Sequence, residues 1–283
     1  MPEPAIAAPY RLVSARHGIM LVNANEIYMG QSYLRYGECC ESEIDVLLSL
    51  LRFPGMVIDV GANMGAHTVP LAIELTRQGR TMLALEPQPV IFQQLCANLA
   101  LNGLMNVIAL PYACGSELGV VSFTAPDYRH EGNFGGVSMS TQGGISAVVT
   151  APCHPLDELV QQAPVALIKI DVEGFELEVL KGSKSIIARY HPALYVENDR
   201  VEKSAALIQW LMDHEYRLWL HIPSLYNPNN FLGNKQNAYG ATGSFNMLCL
   251  HRDCPLKIEG SVEITDASLN PMAAVTPTQP CLS

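Results

Sequence analysis

Between residues 56 and 250, short apolar runs alternate with helical stripes, and this alternation limits the folds open to the chain. Met56–Val60, Thr81–Leu85, Asn106–Leu110, Val165–Ile170, Ala193–Val196, Tyr216–Ile222 and Phe245–Leu250 read as strands. Ala66–Arg77, Val90–Leu101, Gly174–Leu180 and Ser204–His214 read as helices between them. Pro70 is tolerable only because it falls near a first turn, and Asn102-Gly103 closes the second helix. Strands and helices in this order predict an α/β, doubly wound, mostly parallel seven-stranded sheet with helices on both faces. No helix separates the last two strands, so they are expected to pair antiparallel across the loop 223–242.

The pattern divides the chain into an N-terminal cap segment (1–52), a main domain (53–252) and a tail (253–283) expected to wander over the surface. In the cap, Gly18–Val22 reads as a strand and Ser42–Leu51 as a helix, with Tyr33–Glu41 a polar linker between them. Gly119–Thr124 and Ser146–Thr150 read as strands flanking a Gly-, Ser- and Asn-rich loop, Pro126–Gly144. Net charge is −10, which repels a phosphate backbone, so no nucleic-acid partner is expected. The 8 cysteines contain no C-x-x-C pair, which removes support for a zinc ribbon and suits a reducing compartment. No apolar run approaches the ~18 residues of a membrane span, and the N-terminus lacks signal-peptide features. The expectation is a cytoplasmic protein.

Asp59-Val-Gly-Ala-Asn-Met-Gly65 follows the first main strand, at the strand end where doubly wound sheets bind ligands. Gly61 lets the backbone turn, and Gly65 lets the next helix pack close. A dinucleotide turn has a further glycine between these two, which is missing here, and Asp59 would repel a pyrophosphate. The same carboxylate would welcome the ammonium of a methionine moiety while the turn amides take its carboxylate. Glu86, ending the second strand, stands where an acid grips ribose hydroxyls. Together these features fit S-adenosylmethionine.

Val57–Thr68 resembles the first motif of FkbM-type methyltransferases. So do Leu85-Glu-Pro-Gln88, Ala97-Asn98, Leu101-Asn-Gly103, Ile168–Gly182 and Pro192–Glu197. The resemblance runs from about Gly18 to Leu250. It implies a class I, Rossmann-like methyltransferase fold with strand order 3-2-1-4-5-7-6 and the seventh strand antiparallel. It also implies O-methylation of a hydroxyl on a sugar, glycan or secondary metabolite. The cofactor contacts it suggests are Asp59, Gly61, Ala62, Asn63, Gly65, His67, Thr68, Glu86, Pro87, Gln88, Ala113 and Asp171. Ala113-Cys114-Gly115 replaces the acidic or hydroxyl residue the family often has near the adenine.

The fourth and fifth strand tips carry Lys169, Asp171 and Glu173, then Glu197, Asn198 and Asp199. Two mechanisms suit them. In the preferred one Asp171 or Glu173 takes the hydroxyl proton and Lys169 orients it. In the other, Asp171, Glu197 and Asn198 hold Mg²⁺, in a placement that resembles catechol-type O-methyltransferases. The alternatives from other classes are a non-catalytic binding module that kept the cofactor fold and an NAD-dependent oxidoreductase. Tyr36-Gly-Glu38 and Glu43 could fold over the cofactor. The loops 128–144 and 223–240 could form the rim for a small-molecule or glycan acceptor. His67 reads as a helix-start or cofactor-adjacent residue, and His130, His154 and His221 as isolated surface groups.

Overall fold

The computed structural model describes residues 6–137, 148–258 and 260–268. The chain opens with an antiparallel hairpin, β1 (Tyr10–Ala15) and β2 (Gly18–Asn23), followed by α1 (Met29–Tyr36) and α2 (Glu41–Leu50). Next come β3 (Met56–Val60), α3 (Thr68–Arg77), β4 (Met82–Leu85), α4 (Pro89–Leu101) and β5 (Val107–Leu110). A small sheet follows, made of β6 (Ala113–Cys114), β7 (Gly119–Thr124) and β8 (Val148–His154). The chain continues through α5 (Leu156–Leu159), β9 (Val165–Ile170), α6 (Glu176–Lys181), α7 (Lys184–Tyr190), β10 (Ala193–Glu197) and α8 (Val201–Asp213). It ends with β11 (Tyr216–His221), β12 (Asn246–His251) and β13 (Glu263–Ile264).

The main sheet has the order β13-β11-β12-β10-β9-β3-β4-β5. Read from β5, this is the expected 3-2-1-4-5-7-6 order. β12 runs antiparallel to both β10 and β11, which follows from the missing helix between the last two strands. The seven-stranded expectation needs one correction: β13 pairs with β11 at Leu218 and Trp219, making eight strands. A two-residue strand carries no periodic signal. Residues 254–258 also pack against the protein, with Cys254, Leu256 and Ile258 against the core.

Side chains alternate across the sheet and divide the interior in two. Val57, Met82, Ala84, Leu167 and Tyr195 face one core, which α2, α3 and α4 cover. Ile58, Leu83, Leu85, Ile168, Ile170, Leu194 and Val196 face the other, under α6, α7 and α8. Asp59, Lys169, Asp171 and Glu197 fall on the first face, so the charged residues of three strands converge on one side.

Three helices escaped the sequence reading, α1, α7 and the four-residue α5. The supposed linker 33–41 contains the end of α1, whose Tyr33 and Tyr36 are buried. Tyr36 packs edge-on against Tyr226 and Tyr239, with ring centroids 5.4 and 6.0 Å away. Gly37, at φ 69°, closes the helix. α7 follows α6 after two residues and buries only Ile186 and Ile187, too short a stripe to register. The strand expected from Ser146 is described from Val148 onward. Residues 138–147 of the long loop, and the tail beyond 268, lie outside the described residues. Among the described residues no helix is long and apolar enough to cross a membrane.

Candidate active site

The turn after β3 is built for close approach. Gly61 has φ +79°, and a Cβ there would lie 1.8 Å from the Asp171 carbonyl oxygen, so only glycine fits. Its amide and that of Ala62 donate to the Leu85 carbonyl at 3.0 and 2.9 Å. The Asn63 amide donates to Glu86 Oε2 at 3.0 Å, Met64 N to Asn63 Oδ1 at 2.7 Å, and Gly65 N to Ala62 O at 2.9 Å. These amides are therefore spent inside the turn, and do not offer the carboxylate cradle expected of them. Ala62 is buried in the core and Gly65 packs against Leu95, so both shape the turn without reaching the cavity.

Asp59 also departs from expectation. Its carboxylate is fully buried, accepting from Thr68 Oγ1 at 2.7 Å and Lys169 Nζ at 3.1 Å. The parallel register sets Asp59 beside Lys169 on the neighbouring strand. Both oxygens have partners, and the fully buried side chain does not line the cavity, unlike Glu86. Lys169 is buried too, and it reaches Asp171 Oδ2 and the Gly61 carbonyl, each at 3.3 Å. Burial opposes its charge, but Asp59 and Asp171 outweigh that and hold the ammonium ionised. Asp59, Thr68 and Lys169 thus form the strut beneath the site.

Above this strut lies a cavity of about 520 Å³ at the carboxyl ends of β3, β4, β9 and β10. Gly61, Asn63, His67, Glu86, Pro87, Gln88 and Asp171 line it, as do Glu173 and Glu197. Glu86 Oε1 accepts from the Gln88 amide at 2.8 Å. Burial pushes the Glu86 carboxyl up to about 7, against those two backbone hydrogen bonds. Gln88 ties the loop after β7 to this wall: Nε2 donates to Phe134 O and Oε1 accepts from Tyr128, both at 2.9 Å. Ala113 does not reach the cavity; it sits in the small sheet's own core beside Val121, Phe123, Ala151 and Cys153.

The N-terminal segment supplies the opposite wall. Glu43, from the first turn of α2, meets His67 Nε2 at 3.0 Å and accepts from the Ser244 hydroxyl. Burial opposes protonation of His67, but its bonds to Cys40 and Glu43 hold the imidazole up to about 10. The Glu43 carboxylate beside it thus favours the protonated ring. Cys40 closes the group: its sulfur and the donor atoms of Glu43 and His67 lie within 4.8 Å of one another. Contact with the Cys39 thiol, followed by burial, pushes the Cys40 thiol well above its usual range.

The acidic end of the cavity differs from the expected metal set. Asn198 is buried and does not line the cavity; its Nδ2 lies 3.4 Å from Met247 Sδ. The group that does assemble is Asp171, Glu173 and Glu197, with carboxylate oxygens within 4.8 Å. Glu173 stands at φ +57° and pairs with Arg200, which also pairs with Asp199. Burial, then the neighbouring acids, pushes Glu173 up to about 7 and Glu197 well above the carboxylate range. Glu197 Oε2 is buried with no hydrogen-bond partner among the described residues.

Several groups at the site were not foreseen. Arg200 was invisible because only the fold brings it to Glu173. Leu225 and Thr242–Asn246 line the cavity, whereas most of the Asn-rich loop before them does not. Its amides build the loop itself: Asn227 donates to Glu38, Asn230 to Asn227 O and Asn234 O, and Asn237 to Gly240 O. Glu38, also bound to Arg16 and the Phe231 amide, pins this loop to the cap segment. His221 accepts or donates at 2.7 Å with Tyr195, His154 stacks on Tyr112, and His130 pairs with Asp127 at the surface.

Hexuronic acid methyltransferase AglP of Haloferax volcanii is 32% identical over 142 residues, covering 49% of this chain and 54% of that protein. Methyltransferase sdnD of Sordaria araneosa is 27% identical over 155 residues, covering 44% and 59% respectively. The chain thus spans little more than half the length of these relatives. A solved structure of methyltransferase FkbM from Methylobacillus flagellatus KT aligns at a TM-score of 0.46 and 17% identity, over 71% of this chain and 45% of that one. A family model, the methyltransferase FkbM domain, matches residues 59–218, more than half of the sequence. The chain belongs to the FkbM methyltransferase-domain family.

Proposed function

We propose that this chain transfers the methyl group of S-adenosylmethionine to a hydroxyl of a sugar, glycan or secondary metabolite. One observation carries the reading. Glu86, the Gly61–Asn63 turn and Asp171 stand at the tips of three adjacent parallel strands and wall one cavity. A buried carboxylate facing that cavity suits a ribose diol, and the glycine lets the turn pack against the Asp171 carbonyl where any Cβ would collide. The residues present fit the cofactor, which when bound supplies an electrophilic methyl group on a sulfonium.

Each residue then has a task. Glu86 accepts from the ribose hydroxyls. His67, as an imidazolium beside the turn, holds the methionine carboxylate. Asp171, with one oxygen held by Lys169, orients the ammonium or the acceptor. Glu197 takes the acceptor's proton, because its buried Oε2 has no competing partner and burial makes it a stronger base. Arg200 pairs with Glu173 and Asp199 beside it. This assignment moves the base from Asp171 or Glu173 to Glu197, since the first two are already paired. It also keeps the reaction free of metal.

The test is transfer of a labelled methyl from S-adenosylmethionine to a panel of neutral sugars, uronic acids and short glycans. Expected is a product whose label survives mild base, as an ether does and an ester does not. Base-labile label would move the acceptor to a carboxylate, the chemistry suggested by the name of the H. volcanii relative. Activity lost in EDTA and restored by Mg²⁺ would replace Glu197 with a metal at Asp171, Glu173 and Glu197. Heat on titration with NAD, and none with S-adenosylhomocysteine, would favour the oxidoreductase.

A further inference from the structure

Cys39 and Cys40 are neighbours in sequence, and side chains of successive residues usually diverge. Here their Sγ atoms lie 2.9 Å apart. Backbone geometry brings them together: Cys40 is the N-cap of α2 and has φ 59° and ψ 28°, a left-handed conformation that non-glycine residues seldom adopt. Both thiols line the main cavity, and both also line a second cavity of about 350 Å³ next to it. They therefore form the partition between the two, within reach of a small molecule that enters either.

We infer that Cys39 and Cys40 are an oxidation site, a vicinal dithiol that hydroperoxides close into a ring disulfide coupled to the cofactor cavity. The step balances. The Cys39 sulfur, as thiolate, attacks the terminal peroxide oxygen, giving a sulfenic acid and, from hydrogen peroxide, a water. The second sulfur displaces the sulfenic hydroxyl, forming the S–S bond and a second water. Two thiols are oxidised and one peroxide is reduced.

The ring is a labile one. Adjacent Cα atoms are about 3.8 Å apart across a trans peptide, below the roughly 4.4–6.8 Å that disulfides prefer. Such strain makes the bond readily reducible, which places it with reversible disulfides and not with structural ones. Its coupling to the cavity comes through Cys40, whose sulfur lies within 4.8 Å of the Glu43 and His67 donor atoms. Closing the ring draws that sulfur toward Cys39 and takes its contact from His67. If His67 holds the methionine carboxylate, as the proposed function has it, the oxidised protein binds the cofactor product less well. By linkage, bound product must then protect the dithiol to the same degree.

The chemistry is tested on the full chain without any assay of activity. Protein treated with hydrogen peroxide is alkylated with iodoacetamide and cleaved at arginine. The fragment 36–52 holds both cysteines and no others. Expected is a fragment lighter by two hydrogens and unlabelled, which dithiothreitol returns to a doubly alkylated form. A doubly labelled fragment after peroxide treatment, a sulfinic acid on one cysteine, or a cross-link to another fragment would overturn the site. The coupling is read by calorimetry with S-adenosylhomocysteine, with oxidised protein expected to bind about tenfold more weakly. Cys39→Ala should make the affinity indifferent to peroxide. Equal affinity of the reduced and oxidised wild-type protein would overturn the coupling. Reduced protein that bound no S-adenosylhomocysteine would instead overturn the methyltransferase reading, and the mass result would stand apart from it.

Discussion

Asp59 spends its charge inside the protein. Removing one partner of a buried, hydrogen-bonded ion pair leaves the other charge stranded, which costs about 3–5 kcal/mol. Asp59→Ala should therefore lower unfolding free energy by about that amount, read by denaturant titration, because Lys169 stays buried beside it. Glu86 works the other way. Its folded carboxyl is raised to about 7 by burial, while the unfolded group titrates near its ordinary value. The folded state thus binds the extra proton, and this contribution to stability of the free protein falls away as pH rises through about 7. Ribose hydroxyls donate to the ionised form, so affinity for S-adenosylhomocysteine should rise over the same window, and Glu86→Gln should flatten that rise. At the acceptor end, Glu197→Gln should lower kcat by about 10²–10⁴ with product affinity kept. The acid limb of the wild-type rate profile should stand well above the usual carboxylate range, since Glu197 must be ionised to accept a proton. The sequence displayed these carboxylates at strand tips but not their partners. Lys169 and Asp59 are 110 positions apart, and only strand register makes them neighbours. For the same reason the charge on Asp59 could be seen, but not that it is already neutralised.

At the level of elements, the helix α4 shows how a polar stripe can be read as a motif without its purpose being visible. Gln94, Asn98 and Asn102 recur every four residues and face β2. Asn98 Oδ1 accepts from the Leu21 amide at 2.6 Å, and Asn102 Oδ1 from the Ile19 amide at 2.9 Å. The Gln94 and Asn102 amides return the bonds to Leu21 O and Ile19 O, both at 2.7 Å. The helix thus pairs with the outer edge of the hairpin as a strand would, and Asn98 also reaches Met64 O in the turn after β3 at 2.8 Å. Asn98→Leu leaves buried amide and carbonyl groups unpaired, a loss of about 1–3 kcal/mol each. Faster hydrogen exchange at Leu21 and in the 61–65 turn should report it. Gly61→Ala should be worse than any side-chain change nearby, because its Cβ has nowhere to go. Strands of β3, β4, β9 and β10 were legible because their apolar runs are short and bounded. α1 was not, because its buried face is tyrosine and serine, which a search for aliphatic spacing passes over.

Over the whole molecule, the doubly wound layering was legible from the alternation of elements and the sheet order from the family resemblance, whereas the closure of the cavity was not. Closure depends on two segments far apart in sequence, the N-terminal cap and the loop before β12, which meet at Glu38 and again at Glu43 with Ser244. A ligand that fills the cavity between them and binds only the folded chain stabilises it by mass action, about 2.7 kcal/mol at a hundredfold excess over its dissociation constant. The most direct measurement is therefore calorimetric titration of the reduced full chain with S-adenosylhomocysteine. Saturable heat at one site per chain is expected, with affinity lost in Glu86→Gln while the variant stays folded. A folded wild-type chain that gave no heat, or bound equally well with Glu86 replaced, would contradict the account at its centre.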